Sequence, residues 1–304
     1  MKSFKTFRLH QELYFSSFGQ NSKSAIILEQ KKSYSIKTVD NLGYDDKLDK
    51  CTNFLNPLSG PFSLKGAKHG DVITLNIEKI THTRDIGLSS CGPLPSYLLG
   101  TLKKNVVGEP VIFWKIEDDF CYPIVDNQID RSIALKKALM IGCLRSADDL
   151  GKATISSLDA DQYGGNFDCN LFKQGALIFL PIRNDNAEFY IGDVHYCQSD
   201  GEIGGTGIEI TAEIKFSAHL CLTPIHKDLH VIADDFVYFF GIGPTIEDGI
   251  IKAFSQGYEA LTLTGISDDM SRLLLAHGST LKIIKLGQPN IVSIGIEAKY
   301  FSKK

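Results

Sequence analysis

The stretch DVITLNIEKI, residues 71–80, alternates apolar and polar side chains along its length. Its apolar side chains recur at every second position, namely at Ile73, Leu75 and Ile77. Because successive residues of a β-strand point to opposite faces, this alternation predicts a strand with one buried and one polar face. The same alternation recurs in GIEITAEIKF, residues 207–216, and in IVSIGIEAKYF, residues 291–301. Strands are therefore predicted over most of the chain.

Two helices are predicted, both near the C-terminus. The first follows Thr245 in TIEDGIIKAFSQGYEAL, where Asp248 is placed to complete the cap. Its apolar stripe consists of Ile246, Ile250, Ala253 and Phe254. The second starts after the cap residue Ser267 and ends at Gly278, a residue that tolerates a left-handed backbone. Together the two segments predict one antiparallel helical pair.

The distribution of these elements predicts the fold class. Strands spread over the chain and a helical pair near its end predict a mostly β fold, with sandwich or barrel-like sheets, α+β overall. A Rossmann-type fold is disfavoured. The polar stretch DNQIDRSIALKK, residues 126–137, precedes a new apolar segment. It predicts an N-terminal β domain over 1–137 and a C-terminal β-rich domain with both helices over 138–304.

Composition excludes several classes of partner. With 32 basic and 36 acidic side chains the formal net charge is −4, which offers no basic face to a nucleic acid. No segment has the roughly 20 apolar residues of a membrane span, so no membrane partner is expected. Seven cysteines without a CxxC pair predict reduced thiols and a cytoplasmic protein. Polar strand faces and a small net charge predict a homodimer or larger homo-oligomer.

Polar side chains are concentrated between residues 163 and 209, in YGGNFDCN and IGDVHYCQSDGEIGGTGIE. Asn166 and Asp168 are two residues apart, as are Asp193 and His195, so each pair would emerge from one face of an extended backbone. Two such strand ends brought together would offer carboxylates and an imidazole to Zn²⁺ or a similar ion. An alternative stays open, in which Asp193 closes a turn and His195 is a hydrogen-bonded core residue.

A glycine-containing loop, SDGEIGG, follows this segment. A carboxylate on such a loop can approach a bound metal and move protons beside it, so Glu202 is predicted as the catalytic base. The alternative is a turn whose acidic side chains face water. Glu209 is either a further ligand or a solvated side chain. The chain contains no GxSxG elbow, Walker loop or HExxH helix, which disfavours serine hydrolases, NTPases and zincins.

Taken together, several stretches resemble the signature sequences of the acetamidase/formamidase family. They are NPLSGPFSLKGAKHGDVITLNI at 56–77, YGGNFD at 163–168, LPI at 180–182 and GDVHYCQSDGEIGGTGIE at 192–209. Residues 266–301 resemble the closing helix and strands of that family. The resemblance implies a β-rich fold and a divalent metal centre. It also implies hydrolysis of a short carboxamide, such as formamide or acetamide, to a carboxylate and ammonia.

The resemblance further implies roles for residues of these motifs. Asp168, Asp193 and His195 become the expected metal ligands, and Asp40 in TVDN becomes a less specific further ligand. Zinc is the expected ion, and a second ion such as Ca²⁺ or Mg²⁺ stays open. Glu202 would relay a proton to the amide nitrogen. The groups expected to bind the amide and its developing oxyanion are Asn166, Gln198 and the backbone N–H groups around Gly204 and Gly205.

The sequence also departs from the family pattern. Tyr163 stands where a histidine is expected before GGN, and Ser199 stands where a glycine is expected before DGE. The run Arg145, Ser146, Ala147 and Asp148 replaces a small, proline-containing loop. Two alternatives therefore stay open. The protein could be a non-catalytic member of the scaffold that binds a small polar ligand, or a metal-dependent hydrolase or lyase with a different substrate.

Overall fold

The computed structural model describes residues 6–9, 13–19, 23, 25–90, 111–149 and 155–301. In this part of the chain, twenty strands form sheets of nine, six and five strands. The strands are β1 (Thr6–Arg8), β2 (Ile26–Leu28), β3 (Ser33–Lys37), β4 (Leu58–Leu64), β5 (Val72–His82), β6 (Ile86–Ser90), β7 (Val111–Glu117), β8 (Phe120–Val125), β9 (Gln128–Ile129), β10 (Leu135–Lys136), β11 (Met140–Ser146), β12 (Ala160–Asp161), β13 (Gly164–Asn166), β14 (Leu177–Pro181), β15 (Glu188–His195), β16 (Ala212–Cys221), β17 (His230–Ala233), β18 (Phe236–Gly243), β19 (Thr280–Lys285) and β20 (Asn290–Glu297). The predicted mostly β fold is confirmed.

The nine-stranded sheet has the order β1-β3-β16-β5-β14-β17-β18-β20-β19. In β5 the alternating apolar side chains are buried as predicted, since Ile73, Leu75 and Ile77 are fully covered. Thr74 is also buried, so the polar face of this strand is partly covered as well. The second predicted strand starts later than expected: β16 begins at Ala212, while Glu209 forms isolated bridges with Leu88 and His195.

The six-stranded sheet has the order β12-β13-β11-β15-β4-β2 and packs against the nine-stranded sheet. Phe62 of β4 and Phe189 of β15 place their ring centroids 5.5 and 6.5 Å from that of Phe216 in β16. One continuous apolar cluster contains side chains of both sheets. This is the arrangement of a β-sandwich, with a large core buried between two layers. The five-stranded sheet contains β6 to β10.

The two predicted helices are present, as α1 (Ile246–Leu263) and α2 (Asp268–Gly278). Thr245 caps α1 by accepting a hydrogen bond from the backbone N–H of Asp248, and Ser267 caps α2 in the same way. The face of α1 toward the sheet is made of small residues. Gly241 of β18 allows this approach, because a Cβ built on it would lie 1.8 Å from the carbonyl oxygen of Gly249. Gly278 ends α2 without the left-handed backbone that glycine permits.

Strands from both sides of residue 137 lie in the nine-stranded sheet, where β5 pairs with both β14 and β16. The division into domains at this residue remains a prediction. The six cysteines in the described ranges are free. Neither described helix is long and apolar enough to cross a membrane.

Candidate active site

Strand β11 brings the two polar segments together, because it lies between β13 and β15. Cys143 of β11 is in register with Asn166 on one side and with Gly192 on the other. Beyond β13 the chain stays attached to β11, since the backbone N–H groups of Phe167 and Asp168 both donate to the carbonyl oxygen of Gly142 at 3.0 Å. Asp168 is thereby placed beside the residues that follow Gly192.

The backbone at both aspartates differs from the simple extended geometry that the sequence predicts. Asp168 has φ +48° and Asp193 has φ +57°, the left-handed region that residues with a Cβ seldom occupy. Glu202 is also left-handed, with φ +45°. Such conformations cost on the order of 1–3 kcal/mol each and are concentrated at functional sites. Convergence of these side chains therefore depends on backbone turns at the strand ends.

Asp168, Asp193 and His195 are buried, and each offers one ligand atom to a common point, with these atoms within 4.8 Å of one another. Nε2 of His195 lies 3.3 Å from Oδ1 of Asp193 and 3.9 Å from Oδ1 of Asp168. A third carboxylate oxygen, Oε2 of the buried Glu209, lies 3.3 Å from the same nitrogen. Among the described residues this oxygen has no aligned hydrogen-bond donor. The centre therefore combines one imidazole nitrogen with three carboxylate oxygens.

Gln198 determines which nitrogen of His195 faces the carboxylates. The side-chain amide of Gln198 donates from Nε2 to the backbone oxygen of Asp168 at 2.7 Å, so its Oε1 faces Nδ1 of His195 at 2.6 Å. An amide oxygen only accepts hydrogen bonds, so Nδ1 must carry a proton. Nε2 then presents either a lone pair or a second proton to the three oxygens. A lone pair there requires a cation between the groups, which is the requirement of a metal site.

The remaining oxygen of each aspartate is held by another side chain. Asn56 donates from Nδ2 to Oδ2 of Asp193 at 3.2 Å. Lys285 contacts Oδ2 of Asp168 through its ammonium group. With its amide nitrogen turned towards the acids, Asn166 also donates to Oδ1 of Asp168 at 3.1 Å and to Oδ2 of Asp193 at 3.2 Å. These bonds orient the candidate ligand atoms, as hydrogen bonds to ligating side chains do in metal sites.

The electrostatics of the centre are those of crowded acidic groups. Burial and the nearby Asp168 carboxylate raise the pKa of Glu202 to about 9. Burial likewise raises the pKa of Glu209 to about 8, although His195 opposes the shift. Burial disfavours the protonated form of His195, but Glu209 and Asp193 outweigh it and raise the pKa of the imidazole. Added positive charge would relieve this crowding.

A cavity of about 400 Å³ opens onto these groups. Its polar lining includes Asn166, Asp168, Asp193, Glu202, Glu209 and Lys285. The side chain of Glu202 is 10% exposed and has its Oε2 3.5 Å from Nζ of Lys285. The volume lies in the range of small-molecule sites, roughly 300–1,000 Å³. The structure thus brings the predicted base Glu202 and the predicted ligands Asp168 and Asp193 to the lining of one cavity, while the buried His195 contacts Asp193 without lining it.

Other residues named from the sequence lie in different surroundings. Asp40 is fully buried, where its carboxylate accepts hydrogen bonds from Arg84 at 2.9 Å and from the backbone N–H groups of Leu42 and Tyr44. It is not a member of the three-residue ligand group. Gly205 donates its N–H to the carbonyl oxygen of Glu202 at 2.9 Å, within a turn. Gly204 lines a neighbouring cavity of about 610 Å³.

Sequence reasoning missed Lys285, Asn56 and Gly142. Lys285 is more than seventy residues from the other site residues along the chain, and no polar motif marks it. Asn56 begins the stretch at 56–77, for which the sequence predicted no site residue, yet its amide donates to Asp193 from a left-handed backbone, φ +47°. A Cβ built on Gly142 would lie 2.7 Å from Oδ2 of Asp193 and 2.8 Å from Oδ1 of Asp168. Only glycine fits beside the two acids.

Comparison with known proteins finds similarity over part of the chain. A model of the Acetamidase/Formamidase family matches residues 124–267. A curated Schizosaccharomyces pombe protein named as a candidate formamidase is 37% identical over 75 residues, which is 22% of this chain and 18% of that protein. This match therefore spans less than a fifth of the relative.

Two solved structures share the fold over nearly the whole length. An acetamidase from Bacillus halodurans has a TM-score of 0.84 at 20% identity, covering 97% of this chain and 98% of that chain. A predicted acetamidase/formamidase from Thermoanaerobacter tengcongensis has a TM-score of 0.82 at 23% identity, covering 97% and 96%. At these identities the likeness establishes the fold. Residues 124–267 therefore resemble the acetamidase/formamidase family, and the fold is shared with both structures over nearly the whole chain.

Proposed function

We propose that this protein is a metal-dependent amidase, which hydrolyses a short carboxamide to a carboxylate and ammonia. The observation that carries the proposal is the convergence of Asp168, Asp193 and His195, whose ligand atoms lie within 4.8 Å of one another beside a polar cavity. The family match over residues 124–267 supports the choice of amides as the substrate class.

The ion would be held by Oδ1 of Asp168, Oδ1 of Asp193 and Nε2 of His195, with Oε2 of Glu209 adjacent. One imidazole with two or three carboxylates suits Zn²⁺. When bound, a divalent ion supplies positive charge that polarises a carbonyl oxygen and lowers the pKa of a water from about 16 to about 7. Gln198 contributes by holding His195 in the tautomer whose Nε2 can act as a ligand.

Glu202 is the proposed proton carrier. An amide nitrogen is a poor leaving group until it is protonated, so the site needs a group that both accepts and donates a proton. As the water oxygen bonds to the carbonyl carbon, the water proton passes to the carboxylate of Glu202. The carbon–nitrogen bond then breaks as Glu202 gives this proton to the nitrogen, so ammonia and a carboxylic acid leave. Positive charge among the acids would lower the raised pKa of Glu202 towards the range of a base.

Asn166 and the glycine-containing loop remain the proposed contacts of the amide. The cavity of about 400 Å³ is large enough for formamide or acetamide. Gly205 already donates its N–H to Glu202, so binding of an oxyanion by this group would require the turn to open. We therefore favour Asn166, which lines the cavity and whose side-chain oxygen can accept a second hydrogen bond from the substrate amide N–H.

The departures from the family pattern lie outside the ligand cluster, which favours catalysis over a dismantled pocket. The ring of Tyr163 packs against the guanidinium of Arg183, with 4.1 Å between the Arg183 Cζ and the ring centroid. Ser199 takes part in the loop through its carbonyl oxygen, which accepts from the backbone N–H of Glu202 at 3.4 Å. None of these contacts displaces Asp168, Asp193 or His195.

Ammonia release from formamide and acetamide tests the proposal. Purified protein is assayed before chelator treatment, after it, and after return of Zn²⁺, with the metal content measured at each stage. We expect turnover that disappears with the metal and returns with it. Turnover that persists in fully metal-free protein would rule out the proposed chemistry, and no turnover of any short amide by zinc-loaded protein would favour a binding protein.

A further inference from the structure

The carboxyl groups of Asp168, Asp193, Glu202 and Glu209 form an acidic centre around His195. Lys285, from the last part of the chain, adds a positive charge to it. It ends β19, where the pairing with β20 shifts register between Ile283 and Lys285. Its ammonium contacts Oδ2 of Asp168, and the side chain of Lys285 is 19% exposed. It also donates to the backbone oxygen of Asn166 at 3.1 Å and lies 3.5 Å from Oε2 of Glu202.

The two oxygens of Asp168 have different partners. Oδ1 lies 3.9 Å from Nε2 of His195 and belongs to the group of converging ligand atoms. Oδ2 contacts the ammonium of Lys285. The carboxylate thus bridges two positions for positive charge, the point shared with His195 and the point occupied by Nζ of Lys285.

In the described part of the chain, the polar partners of Nζ at the second of these positions are oxygen atoms. The carboxylates of Asp168 and Glu202 and the backbone oxygen of Asn166 surround Nζ. Two carboxylates and a carbonyl are a ligand set that Ca²⁺ and Mg²⁺ accept. The geometry points to Lys285 as a built-in second cation, so that the centre takes one divalent ion where the same oxygens would otherwise take two. This inference rests on the proposed metal-dependent function.

The position of the ammonium is set by backbone pairing, which distinguishes it from a mobile surface lysine. Gly201, beside Glu202, forms a parallel bridge with Lys285, and its carbonyl oxygen accepts from the N–H of Leu286 at 3.1 Å. The loop that carries the proposed base is therefore attached to the strand that carries the lysine. By contrast, Lys282 of the same strand is 32% exposed and lies 3.4 Å from the half-exposed Asp200.

A fixed ammonium has consequences for the reaction. It holds Oδ2 of Asp168 and the carboxylate of Glu202 in place whether or not an ion is bound. An ammonium cannot offer an open coordination position to a substrate, so it adds positive charge without adding a second Lewis acid. Lys285 is accordingly a positioning residue that sets the number of ions in the centre.

The test counts Ca²⁺ equivalents taken up by the zinc-supplied protein, using calorimetric titration with CaCl₂. Wild type is compared with Lys285→Gln and Lys285→Met, which remove the charge, and with Lys285→Arg, which keeps it. Lys282→Met is the matched control on the same strand. Melting temperatures confirm that each variant is folded, and Lys285→Gln can still hydrogen-bond to the acids if Lys285→Met does not fold.

We expect Lys285→Gln and Lys285→Met each to take up one more equivalent of Ca²⁺ than the wild type does. Lys285→Arg and the control Lys282→Met should take up the same amount as the wild type. Equal uptake by folded Lys285→Gln and wild type, with equal affinity, overturns the inference. The result is read as a difference between variants, so it is separate from the test of activity. Protein that binds no Zn²⁺ and releases no ammonia refutes the proposed function, while the Ca²⁺ difference still decides the role of Lys285.

Discussion

Two buried groups of charged residues on the six-stranded sheet are built in different ways, and both include residues of β11. At one end of this strand, Arg145 is fully buried. Its guanidinium donates to both oxygens of Asp161 at 3.1 and 2.9 Å and to Asp148 at 2.9 Å. Arg183 lies near Asp148, at 3.9 Å. The two positive and two negative charges of this Arg145 cluster balance one another.

Near the other end of β11, beside Gly142, the acidic centre is not balanced in this way. Four carboxyl groups, those of Asp168, Asp193, Glu202 and Glu209, face one imidazole and one ammonium. The pKa values of Glu202 and Glu209 are raised to about 9 and about 8. A paired cluster keeps its own charges compensated, whereas the acidic centre has a surplus of carboxyl groups that an added cation would compensate. The comparison separates a structural charge cluster from a binding centre.

The largest expected effect is on catalysis, from Asp193→Asn. The amide keeps the size of the carboxylate and can still bond to Asn56, but it removes one charged ligand. We expect ammonia release to fall by at least about 10³-fold, equivalent to roughly 4 kcal/mol, together with loss of bound zinc. Asp200 is half-exposed on the neighbouring loop, so Asp200→Asn should leave ammonia release and bound zinc unchanged. Full activity in Asp193→Asn would remove the distinction between the two clusters.

The next effect is on stability, from Arg145→Met. Removal of the guanidinium leaves Asp161 and Asp148 without their buried partner, which costs about 3–5 kcal/mol when one member of a buried ion pair is lost. Denaturant unfolding measures the change, and Arg272→Met is the exposed control. Zinc affinity of the remaining folded protein should stay close to that of wild type. A large loss of zinc affinity without loss of stability would show that the Arg145 cluster belongs to the binding centre.

Gly142→Ala tests the close approach of β11 to the two aspartates. The added methyl group would lie within 2.8 Å of oxygen atoms of both Asp193 and Asp168, so at least one ligand must move. We expect zinc affinity to weaken by about 10- to 100-fold, the range seen when groups that orient ligands are altered. Gly278→Ala, where the new methyl group meets open space, serves as the control. Unchanged affinity in Gly142→Ala would contradict the ligand geometry.

The smallest expected effect is a pH dependence confined to the acidic centre. Because the pKa values of Glu202 and Glu209 are raised, the folded protein retains protons that the unfolded chain has released between about pH 5 and pH 8. The stability that these two groups contribute in the presence of chelator should therefore fall as the pH rises through this window, and excess Zn²⁺ should flatten the dependence. Buried His230, whose pKa is lowered to about 4, contributes the opposite slope below about pH 6.5. Melting temperatures measure this. Glu209→Gln should weaken the slope, whereas Glu213→Gln, half-exposed on β16, should not.

The sequence predicts the strands better than the site. Alternation at Ile73, Leu75 and Ile77 predicts β5 because burial of one face imposes a period of two. The same logic predicts extended backbone at Asp168 and Asp193, but neither the strand β11 that joins them nor their left-handed backbones are visible in the alternation. The local sequence pattern predicts the strands because successive side chains of a strand point to opposite faces of the sheet.

The partners of the site residues could not be predicted, since they come from pairings between distant segments. The contact of Lys285 with Asp168 depends on the register shift at the end of β19 and on the bridge to Gly201. The tautomer of His195 depends on the amide orientation of Gln198. Neither follows from spacing, because each is set by backbone geometry that only the folded chain defines.

The most direct measurement is anomalous diffraction at the zinc edge from crystals of the zinc-supplied protein. We expect an anomalous peak about 2.0–2.2 Å from Oδ1 of Asp168, Oδ1 of Asp193 and Nε2 of His195. We expect no density for a second ion beside Nζ of Lys285. Zinc bound only at another place, in protein that still releases ammonia, would contradict the assignment of the acidic centre.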